Sequence, residues 1–220
     1  LLALVALCGS AISLKAQSNS LMPQPAKLSV GHGRLAIDAA FQVAITGYKE
    51  PRLQAAAERL TLRLARQTGI PLRTELEKNP SRATLVIQCA QAGEPIQSVK
   101  EDESYKLEVT AEQARLTAPT PVGVLRGMET FLQLVELDEQ GFGVPAVRID
   151  DRPRFAWRGL LIDVSRHWLP AAVIKRNLDG MAALKLNVLH WHLSDDQGFR
   201  IESKQFPKLH QRGSDGLYFM

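Results

Sequence analysis

The sequence predicts an α+β domain followed by the truncated start of a (β/α)8 barrel. Three observations lead there. Residues 18–150 alternate short strand patterns with two amphipathic helices in the order strand, helix, several strands, helix, strand, which suits one compact α+β domain. After a polar boundary at Asp150-Asp151-Arg152-Pro153, two near-continuous apolar runs flank a single helix, the signature of a βαβ unit with parallel strands buried on both faces. Only about 70 residues follow that boundary, against the roughly 250 of a whole barrel, so most of a barrel is absent from 151–220.

The chain opens on Leu1-Leu2-Ala3-Leu4-Val5-Ala6-Leu7-Cys8, without an initiator Met or a basic segment. An apolar run of about a dozen residues falls short of the roughly 20 that span a bilayer and suits the remnant of a secretory signal over residues 1–17. Small residues at Gly9, Ser10, Ala11, Ser13 and Ala16 place cleavage near Ala16. The end, Asp215-Gly216-Leu217-Tyr218-Phe219-Met220, has no capping pattern, and both ends read as cut. The expectation is an exported protein, periplasmic or extracellular, seen as a fragment.

Leu35-Ile37 and Phe41-Val43-Ile45 alternate as strands do. Pro51 opens a helix and Gly69 closes it, the usual placement of the two residues, with Leu53, Ala57, Leu60 and Leu64 on one face. Thr84–Cys89 is a strand, and Tyr105–Val109 with Ala114–Ala118 forms a hairpin across a short polar turn. Pro121 starts a second helix whose buried face would carry Leu125, Met128, Leu132 and Val135, and Val144-Val147-Ile149 is a last strand. Beyond the boundary come the strand Gly159–Val164, a helix with Val173, Ile174, Leu178, Met181 and Leu184, and the strand Leu186–Leu193.

Composition narrows the function classes. Hydrophobic residues make up 45% and charged residues 23%, which excludes a disordered chain. The net charge of +4 comes from interleaved residues, without a basic block or a stripe of basic and aromatic residues, so nucleic acid is not the expected partner. Of the two cysteines, Cys8 falls in the leader and Cys89 follows an apolar run, where it reads as a small core residue. His190 and His192 share a strand face near Asp195 and Asp196, but without a third imidazole they read as hydrogen-bonded strand histidines; no metal and no cofactor is expected. Trp157, Trp168 and Trp191 could stack on sugar rings, while core or interface packing is the expectation for each.

In parallel α/β folds the chemistry gathers at the C-terminal ends of strands. Here those ends carry Ser165-Arg166-His167 and Ser194-Asp195-Asp196-Gln197. A guanidinium at Arg166 can grip hydroxyls or a carboxylate with paired bonds, and a carboxylate at Asp195 can orient a histidine or tune an acid. The two would equally make a structural ion pair.

Trp157-Arg158-Gly159-Leu160-Leu161-Ile162-Asp163-Val164-Ser165-Arg166-His167 and Leu186-Asn187-Val188-Leu189-His190-Trp191-His192-Leu193-Ser194-Asp195-Asp196-Gln197, at this separation, closely resemble glycoside hydrolase family 20, the β-N-acetylhexosaminidases. Upstream, Tyr105–Val109 and Gly123–Leu134 look like that family's non-catalytic N-terminal domain. The resemblance implies a substrate-assisted retaining mechanism, one of the exceptions to the two-carboxylate scheme. The substrate's acetamido oxygen attacks the anomeric carbon, an Asp steadies it, and the adjacent Glu is the acid/base. Arg166 would then bind hydroxyls of the terminal sugar. Asp195 would serve the catalytic relay through a histidine that supports the Glu. The partner implied is an N-acetylhexosamine-containing oligosaccharide or glycoconjugate. The family's Gly-Gly-Asp-Glu and Pro-Gly-His motifs do not occur in these 220 residues, so the chain alone is expected to be inactive. The alternative is a short exported binding or scaffolding protein without catalysis.

Overall fold

A computed structural model describes residues 21–214; the leader with Cys8 and the closing run Asp215–Met220 lie outside the described residues. The first part is a mixed sheet carrying two helices on one face. Its strands are β1 (Lys27–Ala36), β2 (Val43–Gly47), β3 (Leu85–Cys89), β4 (Tyr105–Val109), β5 (Ala114–Ala118), β6 (Glu136–Asp138) and β7 (Gly141–Asp151). They lie in the order β1-β7-β4-β5-β3-β2, with β6 folded back onto β7. β2, β3 and β5 are parallel; the remaining pairings are antiparallel. Helix α1 (Pro51–Thr68) supplies the long crossover that the parallel β2–β3 pair requires.

Both helices have local reasons to start and stop. Pro51 opens α1, and Gly69 closes it at φ 74°, donating its N–H to the Ala65 carbonyl. The expected face is buried: Leu53, Ala57, Leu60 and Leu64, joined by Ala56 and Thr61. Helix α2 (Pro121–Gln133) is capped by Thr120, whose Oγ1 accepts from the Gly123 N–H and donates to the Asp102 carbonyl. Its buried surface is wider than the four-residue stripe expected. Val124, Gly127, Met128, Phe131 and Leu132 are buried, Leu125 is only partly covered, and Val135 lies beyond the helix. The cause is that α2 lies on the sheet and beside α1 together. Gly123 and Gly127 permit the close approach. A Cβ at Gly123 would sit 2.3 Å from the Ser104 carbonyl oxygen, and one at Gly127 would sit 2.1 Å from Leu116 Cδ1.

The inward side chains of β3, β4, β5 and β7 join both helices in one core, with Phe41 and Phe131 at 6.0 Å between ring centroids. Cys89 is a buried free thiol within it, and burial pushes its pKa up. Lys106, Arg115, Arg148 and Asp150 project from the opposite, solvated face, where Arg148 pairs with Glu108 at 2.7 Å.

The second part is β8 (Gly159–Asp163), α3 (Ala171–Ala183) and β9 (Val188–His192), followed by the two-residue strands β10 (Ser194–Asp195) and β11 (Gly198–Phe199) and the short α4 (Lys208–Gly213). β8 and β9 are parallel, with Gly159 opposite Val188 and Asp163 opposite His192. Ile162, Val164 and Ile174 form a small cluster with α3. Burial on both strand faces, expected from the apolar runs, is not what the described residues show. Leu161 is 57% exposed, and Trp157, Trp168 and Trp191 are 63%, 59% and 41% exposed rather than packed in a core. One helix covers only one side of a two-stranded pair.

Buried polar groups join the two parts. The Glu103 carboxylate, 4% exposed, accepts from Arg126 Nε at 2.6 Å, Arg158 Nη2 at 2.5 Å and Asn187 Nδ2 at 3.1 Å. Beside it, Lys185 Nζ lies 3.1 Å from Asp151 Oδ2 and donates to the Tyr105 hydroxyl at 2.8 Å. Tyr105 donates to Asp151 at 2.7 Å and shares a 2.6 Å contact with Thr130. Burial lowers the Lys185 pKa, opposed by Asp151, and raises that of Tyr105 well above its ordinary value. Lys185 holds a left-handed φ of 58° just past α3, a conformation costing about 1–2 kcal/mol that its buried contacts offset.

Two predictions follow from these contacts. Gly123→Ala should destabilise the chain by about 1–3 kcal/mol, because the obstructing atom is backbone and cannot swing aside. Gly180→Ala, in an exposed stretch of α3 where a Cβ meets nothing within 4 Å, should stabilise it by about 0.5–1 kcal/mol. Urea denaturation of both variants measures the contrast, and equal effects would refute the packing argument. Glu103→Gln should cost about 3–5 kcal/mol by leaving two guanidinium groups without their anion. A loss under 1 kcal/mol in the same assay would mean that the junction does not depend on that charge.

Candidate functional site

The parallel register of β8 and β9 puts their C-terminal ends side by side, with Asp163 opposite His192. The chain leaves β8 through a turn at Val164-Ser165-Arg166. Asp163 Oδ1 fixes that turn by accepting from the N–H groups of Ser165 at 2.9 Å and Arg166 at 3.1 Å. The chain leaves β9 through the β10–β11 hairpin, in which Ser194 pairs with Phe199 and Asp195 with Gly198.

The hairpin and the turn are stitched together. Ser165 Oγ donates to the Gly198 carbonyl at 2.8 Å, and Arg200 reaches the carbonyls of Val164 and Ser165 at 3.1 Å each. Gly198 is required here, since a Cβ would fall 2.6 Å from the Ser165 carbonyl oxygen. Arg200 also lies over the Trp168 ring, 5.7 Å from its centroid.

Both residues singled out from the sequence meet in this cluster. Arg166 Nη1 donates to Asp163 Oδ2 at 2.7 Å, and Nη2 lies 2.9 Å from Asp195 Oδ2 and 3.9 Å from Asp196 Oδ1. His192 Nε2 lies 2.8 Å from the same Asp195 oxygen, while Asp195 Oδ1 accepts from the Asp196 N–H at 2.7 Å. The ion pair between Arg166 and Asp195 is therefore present, yet it does not enclose the guanidinium. Arg166 keeps 45% of its side chain exposed, with Nη1 held by Asp163 and Nη2 by Asp195.

The electrostatics follow from these contacts. The Asp196 N–H and the His192 ring, with Arg166 adding to them, hold Asp195 well below the usual carboxylate range. The Arg166 side chain and its N–H lower Asp163, and the bond to Asp163 raises Arg166 above its already high value. Near neutral pH the site presents an ionised carboxylate joined to an imidazole, beside a fixed guanidinium. Such a group can bind hydroxyls through the fork and can orient or polarise a proton donor through the carboxylate. Among the described residues no three His, Cys, Asp or Glu side chains converge as a metal ion would require, and the guanidinium itself fills the cationic position between the acids. His190 does not join the Asp195 contact; its ring packs edge-on to His192 at 6.3 Å. His192 is the hydrogen-bonded strand histidine that the sequence suggested, whereas Asp163 was not singled out there. Asp163 meets Arg166, and His192 meets Asp195, each three residues along its own strand end; the parallel register then joins the two pairs through Arg166 and Asp195.

Replacing His192 by Phe should raise the Asp195 titration midpoint toward the ordinary value near 3.9. The carboxyl carbon shift of Asp195 followed by NMR from neutral to acidic pH measures it, and an unmoved midpoint would remove His192 from the site. The sign for stability follows. A carboxylate with a lowered folded-state pKa contributes stability that is fully present above about pH 4 and is lost as the pH falls through the lowered value. The variant should therefore lose part of the acid dependence of the melting temperature below pH 4.

The family described as glycosyl hydrolase family 20, domain 2, matches residues 18–152, and the family's catalytic domain matches residues 155–218. A β-hexosaminidase subunit beta of Mus musculus is 46% identical over 144 residues, which cover 65% of this chain and 26% of that protein. A subunit alpha of Bos taurus is 50% identical over 113 residues, 51% of this chain and 21% of the relative. Among solved structures, a chitobiase of Flavobacterium johnsoniae superposes with a TM-score of 0.83 at 44% identity, covering 90% of this chain and 30% of that one. A β-N-acetylhexosaminidase of Streptomyces coelicolor gives 0.72 at 27% identity, covering 87% of this chain and 38% of that one. The chain thus spans about a quarter of the length of the curated relatives it matches. With one family domain covering more than half of its residues and a second following directly, the chain belongs to glycosyl hydrolase family 20.

Proposed function

We propose that this chain is the N-terminal part of an exported β-N-acetylhexosaminidase that removes terminal N-acetylhexosamine from glycans by a substrate-assisted, retaining mechanism. On this reading residues 18–150 are the non-catalytic domain, and 151–220 begin a (β/α)8 barrel with β8 and β9 as its first two strands. The observation that carries the proposal is the convergence of Arg166, Asp163, His192 and Asp195 at the adjacent C-terminal ends of these parallel strands, where barrel chemistry sits.

Each residue then has a chemical task. Arg166, whose side chain is 45% exposed, holds the terminal sugar by donating to its hydroxyls, with Asp163 fixing the plane. Asp195, kept ionised by the Asp196 N–H and His192, favours the protonated form of a histidine placed against it. That histidine supports the acid/base Glu supplied by a later strand. The substrate's own acetamido oxygen is the nucleophile, so the chain's residues bind and tune rather than attack.

The test uses an aryl N-acetyl-β-glucosaminide. The 220-residue chain should release no aryl alcohol above a blank, whereas a longer product of the same reading frame carrying a Gly-Asp-Glu motif should turn over. Persistent activity of the 220-residue chain after repurification, or inactivity of the longer product, would count against the proposal. In the longer product Arg166→Lys should lose nearly as much catalytic efficiency as Arg166→Ala, about 100-fold or more, because a point-like ammonium cannot reproduce two parallel bonds. Near-normal efficiency with Lys would reduce Arg166 to a structural charge.

A further inference from the structure

A second charged region lies away from the strand ends, at the junction of the two parts. A cleft of about 990 Å³ opens between the sheet and the β8–α3–β9 unit, and its charged lining includes Arg126, Arg152, Arg154, Arg158 and Lys185. Among the described residues only two carboxylates, Glu103 and Asp151, share that lining. Asp151 is matched by Lys185. Glu103 alone faces both Arg126 and Arg158, whose side chains are 15% and 14% exposed. One unit of positive charge therefore remains uncompensated where water is scarce, although the N–H groups there are bonded to carbonyls of Phe155 and Leu186 as well. An uncompensated buried charge is costly, and a bound counter-anion removes the cost. At the mouth, the exposed side chains of Arg152 and Arg154 make no ion pair or hydrogen bond among the described residues, while Pro153 and the 68% exposed Phe155 form an apolar rim. Low-dielectric walls around charges of one sign concentrate the field inside a cleft.

We infer that this cleft binds a tetrahedral oxyanion, phosphate or sulfate, clamped between the Arg152 and Arg154 side chains and the positive charge beneath them. Guanidinium forks match such an anion bidentately, and the positive excess of the lining attracts its negative charge. The cleft is larger than a bare oxyanion, which leaves room for an organic group carrying it as an ester. The inference does not rest on the hydrolase reading, since neither Arg166 nor Asp195 takes part.

The test is calorimetric titration of the purified 220-residue chain with inorganic phosphate, inorganic sulfate, glucose 6-phosphate and glucose, in chloride of matched ionic strength. Saturable binding of the oxyanions and none of glucose is expected. Tighter binding of glucose 6-phosphate than of phosphate identifies an ester as the source, and equal binding identifies the free anion. The double variant Arg152→Gln/Arg154→Gln should bind at least tenfold more weakly with an unchanged melting temperature, whereas Arg115→Gln, on the solvated face of the sheet, should bind normally. Absence of saturable binding, or binding that the double variant retains and that chloride abolishes equally in both proteins, would overturn the inference.

Discussion

The two halves of this chain meet through the Glu103 carboxylate. It precedes β4, and it is reached by Arg126 from α2, by Arg158 just before β8 and by Asn187 just before β9. Both strands whose ends carry the site are thus tied, at their starts, to one buried anion. Such a contact is a directional constraint more than a source of stability, because removing charges from water costs about as much as pairing them returns. Apolar surfaces could have joined the parts with similar strength, but they would tolerate sliding. Three charge-assisted bonds converging on one carboxylate do not, and Lys185 with Asp151 and Tyr105 repeats the arrangement a few ångströms away.

The site itself is a product of strand register. A parallel pair places side chains of neighbouring strands on a fixed grid, so Asp163 and His192 face each other before any loop is considered. The turn after β8 then brings Arg166 back over Asp163, and the hairpin after β9 brings Asp195 back over His192. Gly198, Ser165 and Arg200 lock the two returns together. A shift of one residue in the β8–β9 register would turn either Asp163 or His192 to the opposite face and part the Asp163–Arg166 pair from the His192–Asp195 pair.

Much of this was legible in the sequence. Leu53, Ala57, Leu60 and Leu64 announce α1 because helical spacing survives whatever the sheet does. Tyr105, Leu107 and Val109 announce β4 through strict alternation. Most of β1 was not legible, since Lys27–Arg34 is largely exposed and is a strand through its backbone pairing with β7. The tight seat of α2 was missed for a related reason: an apolar-face reading counts side chains, and at Gly123 and Gly127 their absence does the packing. Glu103 was hidden in Glu101-Asp102-Glu103, which looks like a solvated turn. Arg166 and Asp195 stood out as strand-end charges able to pair with each other, and it is that pairing, between segments about 30 residues apart, that rests on the strand register.

The pairing of β1 with β7 has a kinetic consequence. Lys27 finds its partner at Asp150, and Leu35 finds its own at Val144, so the edge strand made first must wait for more than a hundred further residues. During synthesis at about 5–20 residues per second, that interval lasts several seconds at least. Throughout it, β1 has unpaired backbone and the sheet lacks both β7 and the surface that β8 and α3 later cover. Contacts so distant along the chain slow closure, since the entropy of the long loop is lost before the contacts form. The nascent domain is therefore exposed longest at its first strand.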